Sequence, residues 1–157
     1  MKKFILISIL IVAIGICLAS VVYINAMNPV KEARELAYQK VKDETSLVEV
    51  DDFSLYHGQE TYYVVKGKEE DGTSIYVWVP EKEGKIIVLK QADGITEQEA
   101  INKLKEEKNP KEIISVRLGI EKGRPLWEMY YRSDGDLINY YYVEFKTGDW
   151  LKTIENL

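Results

Sequence analysis

The sequence predicts an α+β protein: two units of one helix and four strands, behind a membrane-spanning helix. Three observations predict it. Residues 4–26 carry no charge. After them, helical periodicity gives way twice to alternating, tyrosine-rich segments punctuated by glycine. The second round also repeats the landmarks of the first. Gly58, Asp71-Gly72, Val79 and Gly84 meet Gly123, Asp134-Gly135, Val143 and Gly148 at offsets of 63 to 65 residues.

The span comes first. Lys2 and Lys3 precede the uncharged run of FILISILIVAIGICLASVVYINA. As a helix at ~1.5 Å per residue it would extend roughly 34 Å, enough for a ~30 Å hydrocarbon core. Lysines before it and none inside predict a cytoplasmic N-terminus, with residues 28–157 outside. The run is longer than the apolar part of a cleavable signal, and the positions after Ala19 and Ala26 are poor cleavage sites. A retained anchor over residues 1–27 is therefore expected. Cys17 follows Ile16, which is too large for a lipoprotein signal, so it reads as a buried membrane residue.

Asn28-Pro29 offers an N-cap and a first helical residue. Val30, Ala33, Ala37 and Val41 then recur at helical spacing, ending near Glu44. Strands are predicted over 48–56, 61–67, 73–80 and 85–89, with links short enough for an antiparallel meander. Gly94 opens the second round. Thr96 and Glu99 form a capping box, Ile95 and Ala100 are placed for a hydrophobic staple, and Asn109-Pro110 stops the helix. Strands follow over 113–120, 126–132, 137–145 and 149–154. The predicted domains are 28–92 and 93–157, joined at 90–95, each with one sheet face under its helix and a small core of its own.

Alternation assigns the faces. With Val77 and Val79 toward the first helix, Tyr76 and Trp78 point the other way. The repeat register sends Tyr141, Val143 and Phe145 inward, and Tyr140 and Tyr142 outward. Two readings follow. The outer faces pack on each other, or Tyr76, Trp78, Tyr140 and Tyr142 form a docking surface, since Tyr and Trp are favoured interface anchors.

Charge and chemistry narrow the function. Setting aside Lys2 and Lys3 leaves 19 basic against 26 acidic residues, a net of −7 for the part beyond the span. That excludes binding to a nucleic-acid backbone, which needs clustered cations. Cys17 is the sole cysteine, so no disulfide staples the exterior part. His57 is the sole histidine and has no partner for a metal site or a nucleophile–base pair. The acidic runs Glu69-Glu70-Asp71 and Glu97 to Glu99 follow no calcium-loop spacing and read as turn and helix-start residues. No cofactor, metal or catalytic residue is expected.

The segments GITEQEAINKLKEE, LWEMYY and VEFKTGDWL are similar to a PepSY-type unit, a small helix-on-sheet module found outside bacterial membranes. The whole layout, with YYVVKGKEEDGTSIYVWVP and a lysine in the last strand, resembles the TseB/YpmB-like proteins of Gram-positive rods. The resemblance implies two cystatin-like domains on a membrane anchor. It further implies regulation of lateral cell-wall elongation through a class B penicillin-binding protein, with no active site to carry over. PepSY units also occur in protease propeptides, which gives an alternative: an inhibitor or chaperone-like module for an extracytoplasmic peptidase.

Overall fold

The structure, a computed structural model, describes the backbone of residues 2–157 and the side chains of residues 9–25, 28, 29 and 31–157. The chain divides into two compact units, Met1–Ala37 and Tyr38–Leu157.

The first unit is helical. Helix α1 runs over Lys2–Glu44 without a break, with Pro29 inside it. This corrects the expectation that Asn28-Pro29 starts a new helix. Pro29 withdraws one N–H from the ladder, but the apolar run before it and the Val30-to-Val41 pattern after it both favour helix, so the chain continues. Ile9, Leu10, Ile11, Val12, Ile14, Ile16, Leu18, Val21, Val22 and Ile24 are all more than half exposed. Cys17 is exposed and unpaired. Among the described residues no helix is long and apolar enough to cross a membrane. The predicted span reaches beyond them, because the side chains of residues 4–8 and 26 lie outside the described residues.

The second unit holds two four-stranded antiparallel sheets, each a simple meander. The first is ordered β1 (Leu47–His57), β2 (Thr61–Glu69), β3 (Ser74–Pro80), β4 (Ile87–Lys90). A short 3₁₀ turn and α2 (Glu97–Lys108) lead to the second: β5 (Glu112–Glu121), β6 (Arg124–Arg132), β7 (Ile138–Glu144), β8 (Trp150–Ile154). The paired Asp-Gly signals are tight turns, with Gly72 and Gly135 at φ 84° and 83°. Only glycine takes up that conformation without strain.

Helix ends follow their local chemistry. Thr45 closes α1: its N–H and hydroxyl donate to the Val41 carbonyl at 2.9 and 2.6 Å, and its oxygen accepts from Leu47 N–H. Thr96 and Glu99 form the predicted reciprocal capping box on α2, and Asn109 ends it in the left-handed region.

Two cores result. The last turns of α1 bring Val41 and Tyr38 onto one face of the first sheet, against Leu47, Val65, Ile75, Val77 and Val79. Phe53 extends this core edge-on to Tyr38, 5.8 Å between ring centroids, and stacked on Tyr63. Six fully buried side chains at about 1.5–3 kcal/mol each make a thin core for four strands. The other core is larger and is not confined to one repeat, contrary to the expectation of separate cores. Ala100 and Leu104 of α2 and the apolar face of the second sheet share it with Tyr56, Val64 and Trp78 of the first. The reason is area: a unit of roughly 60 residues buries too little surface alone, and the spare aromatic face of one sheet supplies it to the other.

Candidate functional site

The join between the sheets is built from strand alternation. On β3, Val77 and Val79 face α1 while Tyr76 and Trp78 face the second sheet. Trp78 is fully buried, and its Nε1–H donates to the Gly119 carbonyl at 3.1 Å. Tyr76 lies edge-on to Trp78, Trp127 and Phe145, with centroids 5.9, 6.3 and 5.8 Å away. Phe145 is tied in by its backbone: its carbonyl accepts from Ile95 N–H at 2.8 Å, and its N–H donates to Pro125. Trp127 Nε1–H donates to the Ile95 carbonyl at 3.0 Å, which pins the start of α2 to the same place.

Gly119 shows how closely the sheets meet. A Cβ there would overlap the buried Tyr56 ring. Tyr56 in turn donates to Glu121 at 3.3 Å, and Lys152 donates to both oxygens of that carboxylate, at 2.7 and 2.8 Å.

Beside this join, the face of the second sheet turned away from α2 carries a polar and aromatic cluster. Tyr142 pairs with Glu128 on one neighbouring strand and Lys152 on the other. The Lys152 Nζ stands 4.2 Å from the Tyr142 ring centroid, within cation–π range. Glu128 is buried and accepts from Arg117 Nη2 at 2.7 Å, while Arg117 reaches solvent. A lone buried carboxylate would be costly, and the guanidinium offsets that cost. Burial first, and the Glu128 carboxylate second, push the Tyr142 phenol well above its usual range. Burial, then Glu128 and Glu121, do the same to Tyr56. Both phenols stay protonated and act as neutral donors. Tyr140 stacks on Tyr130 at 4.9 Å and on Tyr142 at 6.3 Å, and both Tyr130 and Tyr140 stay partly open to solvent.

The four predicted docking residues therefore part company. All lie on sheet faces away from the helices, as alternation requires. Trp78 and Tyr142 are buried, however, and Tyr76 is half-buried in the join. This corrects their placement on an open surface: the outer face of the first sheet is spent on packing against the second. Tyr140, also partly open to solvent, stacks on Tyr130 outside that join. The sequence reading missed the Arg117–Glu128 and Lys152–Glu121 pairs. The β5–β6 register brings Arg117 to Glu128, whereas Lys152 of β8 reaches Glu121 of β5 from the opposite edge of the sheet, which no pairing rule gives.

Nothing in this arrangement sets a nucleophile against a base. His57 is exposed at the end of β1, with Nδ1 3.2 Å from Thr61 Oγ1. Among the described residues no group of three or more His, Cys, Asp or Glu could hold a metal ion.

Comparison with known proteins finds relatives over most of the chain. Residues 37–80 match the family described as "Cell wall elongation regulator TseB-like domain". The chain is 38% identical over 134 residues to a Bacillus subtilis (strain 168) protein described as "Probable cell wall elongation regulator TseB", covering 85% of this chain and 83% of that one. It is similar to the solved structure of the YpmB protein from Bacillus subtilis, with a TM-score of 0.73 and 38% identity, covering 77% of this chain and 95% of the other.

Proposed function

The chain belongs to the TseB-like family of cell wall elongation regulators, and from that premise we propose that it is a membrane-anchored, extracytoplasmic regulator of lateral cell-wall elongation that binds a class B penicillin-binding protein. In this reading residues 1–27 are the anchor, and residues 28–92 and 93–157 are two cystatin-like repeats outside the membrane. The observation that carries it is the extent of the likeness to a protein described as an elongation regulator, since it runs through most of both chains. The anchor is supported by the uncharged residues 9–25 of α1, whose large apolar side chains find no protein cover. Partner contact through Tyr140, with Tyr130 beside it and Tyr142 beneath, is supported by their stacking and partial exposure. Tyr76 and Trp78 support that surface from behind by fixing the second sheet.

The test is crosslinking in intact membranes followed by capture of the full chain. A penicillin-binding synthase is expected among the captured proteins, with recovery reduced for Tyr140→Ala while the melting temperature stays unchanged. Capture of a peptidase in its place would overturn the reading in favour of an inhibitor or chaperone-like role.

A further inference from the structure

Two rows of side chains cross the face of the second sheet turned away from α2. The strand register sets them: Arg117, Glu128, Tyr142 and Lys152 lie side by side from β5 to β8, and Ser115, Tyr130, Tyr140 and Ile154 form the next row. We infer that Lys152 is a positioning residue for the second row, holding Tyr140 and Tyr130 in the one arrangement that a partner meets. This rests on the reading of Tyr140 as a partner contact.

The aromatic pair has firm support at one point. Tyr130 and Tyr140 stack at 4.9 Å with 24° between their planes, and both are partly open to solvent. Beyond Tyr130 the row ends in Ser115, too short to cover a ring. Beyond Tyr140 it ends in Ile154, which is itself exposed. The buried member of the stack is Tyr142, 6.3 Å from Tyr140 and within 20° of parallel to it. Rotamer freedom is lost where a side chain is buried, so order enters the pair through Tyr142.

Tyr142 is held in turn by Lys152, whose Nζ stands 4.2 Å from its ring centroid. A lysine on an edge strand ordinarily extends its head into water and keeps its rotamer freedom. This one is drawn back over the sheet, because both oxygens of Glu121 accept from it, at 2.7 and 2.8 Å. Glu121 is fixed on its own account. It ends β5, its side chain is mostly buried, and Tyr56 of the first repeat donates to it. The bonds that place the ammonium are charge-assisted, and once placed it is attracted by the Tyr142 ring. The first row therefore braces the second.

The test pairs NMR of the full chain in detergent micelles, with tyrosine ring carbons labelled, with the crosslinking capture from intact membranes. Lys152→Met keeps the stem and removes the cation. The Tyr130 and Tyr140 ring signals, assigned from their alanine variants, should move towards those of unstacked tyrosine. Recovery of the synthase should fall about two- to fivefold, the range that a cation–π contact at an exposed site is worth. Lys152→Arg, which can stack on Tyr142 and still bond Glu121, should restore both. If Lys152→Met melts below wild type because Glu121 is left unpaired, Lys152→Met combined with Glu121→Gln carries the test, since it leaves no lone carboxylate and keeps an acceptor for Tyr56. Ring signals that stay at their wild-type positions overturn the inference. So does reduced recovery with unmoved rings, which would make Lys152 a direct contact, and so does recovery that holds in Lys152→Met but falls in Tyr140→Ala. Recovery unchanged in both variants overturns the partner reading of Tyr140 itself, and with it the role given to Lys152.

Discussion

Truncating Trp78 to alanine should cost more than any other single change in the first sheet. The side chain has no exposed surface, lies 5.9 Å from the rings of Tyr76 and Phe145, and hydrogen-bonds a carbonyl of the opposite sheet. Buried tryptophan-to-alanine changes cost about 3–5 kcal/mol through lost transfer energy and the cavity left behind. The lost hydrogen bond is worth about 1 kcal/mol of that order. For about 120 folded residues this lowers the melting temperature by roughly 10–20 °C. Trp78→Phe, which loses the donor but keeps a ring, should fall between alanine and wild type. The assay is reversible thermal or urea unfolding followed by near-ultraviolet circular dichroism, with the Tyr140→Ala variant alongside. A Trp78→Ala variant within about 1 kcal/mol of wild type would refute the idea that the sheets share one core.

Three further outcomes are expected. Gly119→Ala should destabilise by about 1–3 kcal/mol, because the added methyl meets the immobile Tyr56 ring; a neutral result would mean the sheets are not in contact there. Stability should decline in acid. The Glu99 carboxyl is held below its ordinary value by the Thr96 N–H, Asp71 by the Thr73 N–H, and Asp136 by Lys111. A depressed folded value means stability that is present above the ordinary carboxylate range and lost as pH falls through the folded value. A melting temperature that stays flat between about pH 6 and pH 3 would contradict this, and Glu99→Gln should flatten part of the slope. Finally, intact mass of membrane-extracted protein should show residues 1–27 still attached; a mature N-terminus at Ser20 or Met27 would remove the anchor, and one at Cys17 would make the protein a lipoprotein.

Element types were legible in the sequence wherever a local rule decides them. The Thr96–Glu99 box, the paired Asp-Gly turns and the strand alternation each need only neighbouring residues. Pro29 was misread because a local rule met a stronger neighbourhood: helix-favouring segments on both sides carried the chain through it. The site was less legible for a different reason. Alternation gives the face on which Trp78 and Tyr142 lie, but not what covers that face. That depends on how one sheet meets another, as with Trp78 reaching Gly119, which lies 41 residues away. The Arg117–Glu128 pair was invisible for a similar reason. It depends on the β5–β6 register, which is set by the tight link between Glu121 and Arg124 and holds unbroken to Arg117 opposite Glu128.

The separation in sequence that hid the join also governs when it forms. Every ladder in both sheets connects consecutive strands, so each meander closes over short loops early in folding. The contacts between sheets span 41 residues from Trp78 to Gly119 and 65 from Tyr56 to Glu121, and they need β5 and β8 in place. If such contacts are made after the rate-limiting step, they act on the rate of opening. On that order of events the Trp78 indole is a brake on unfolding. Its removal should steepen loss of the native state while refolding keeps its pace, so that the lifetime of the folded two-sheet unit, more than its speed of formation, rests on one side chain at the join; slower refolding of Trp78→Ala would place the contact in the rate-limiting step.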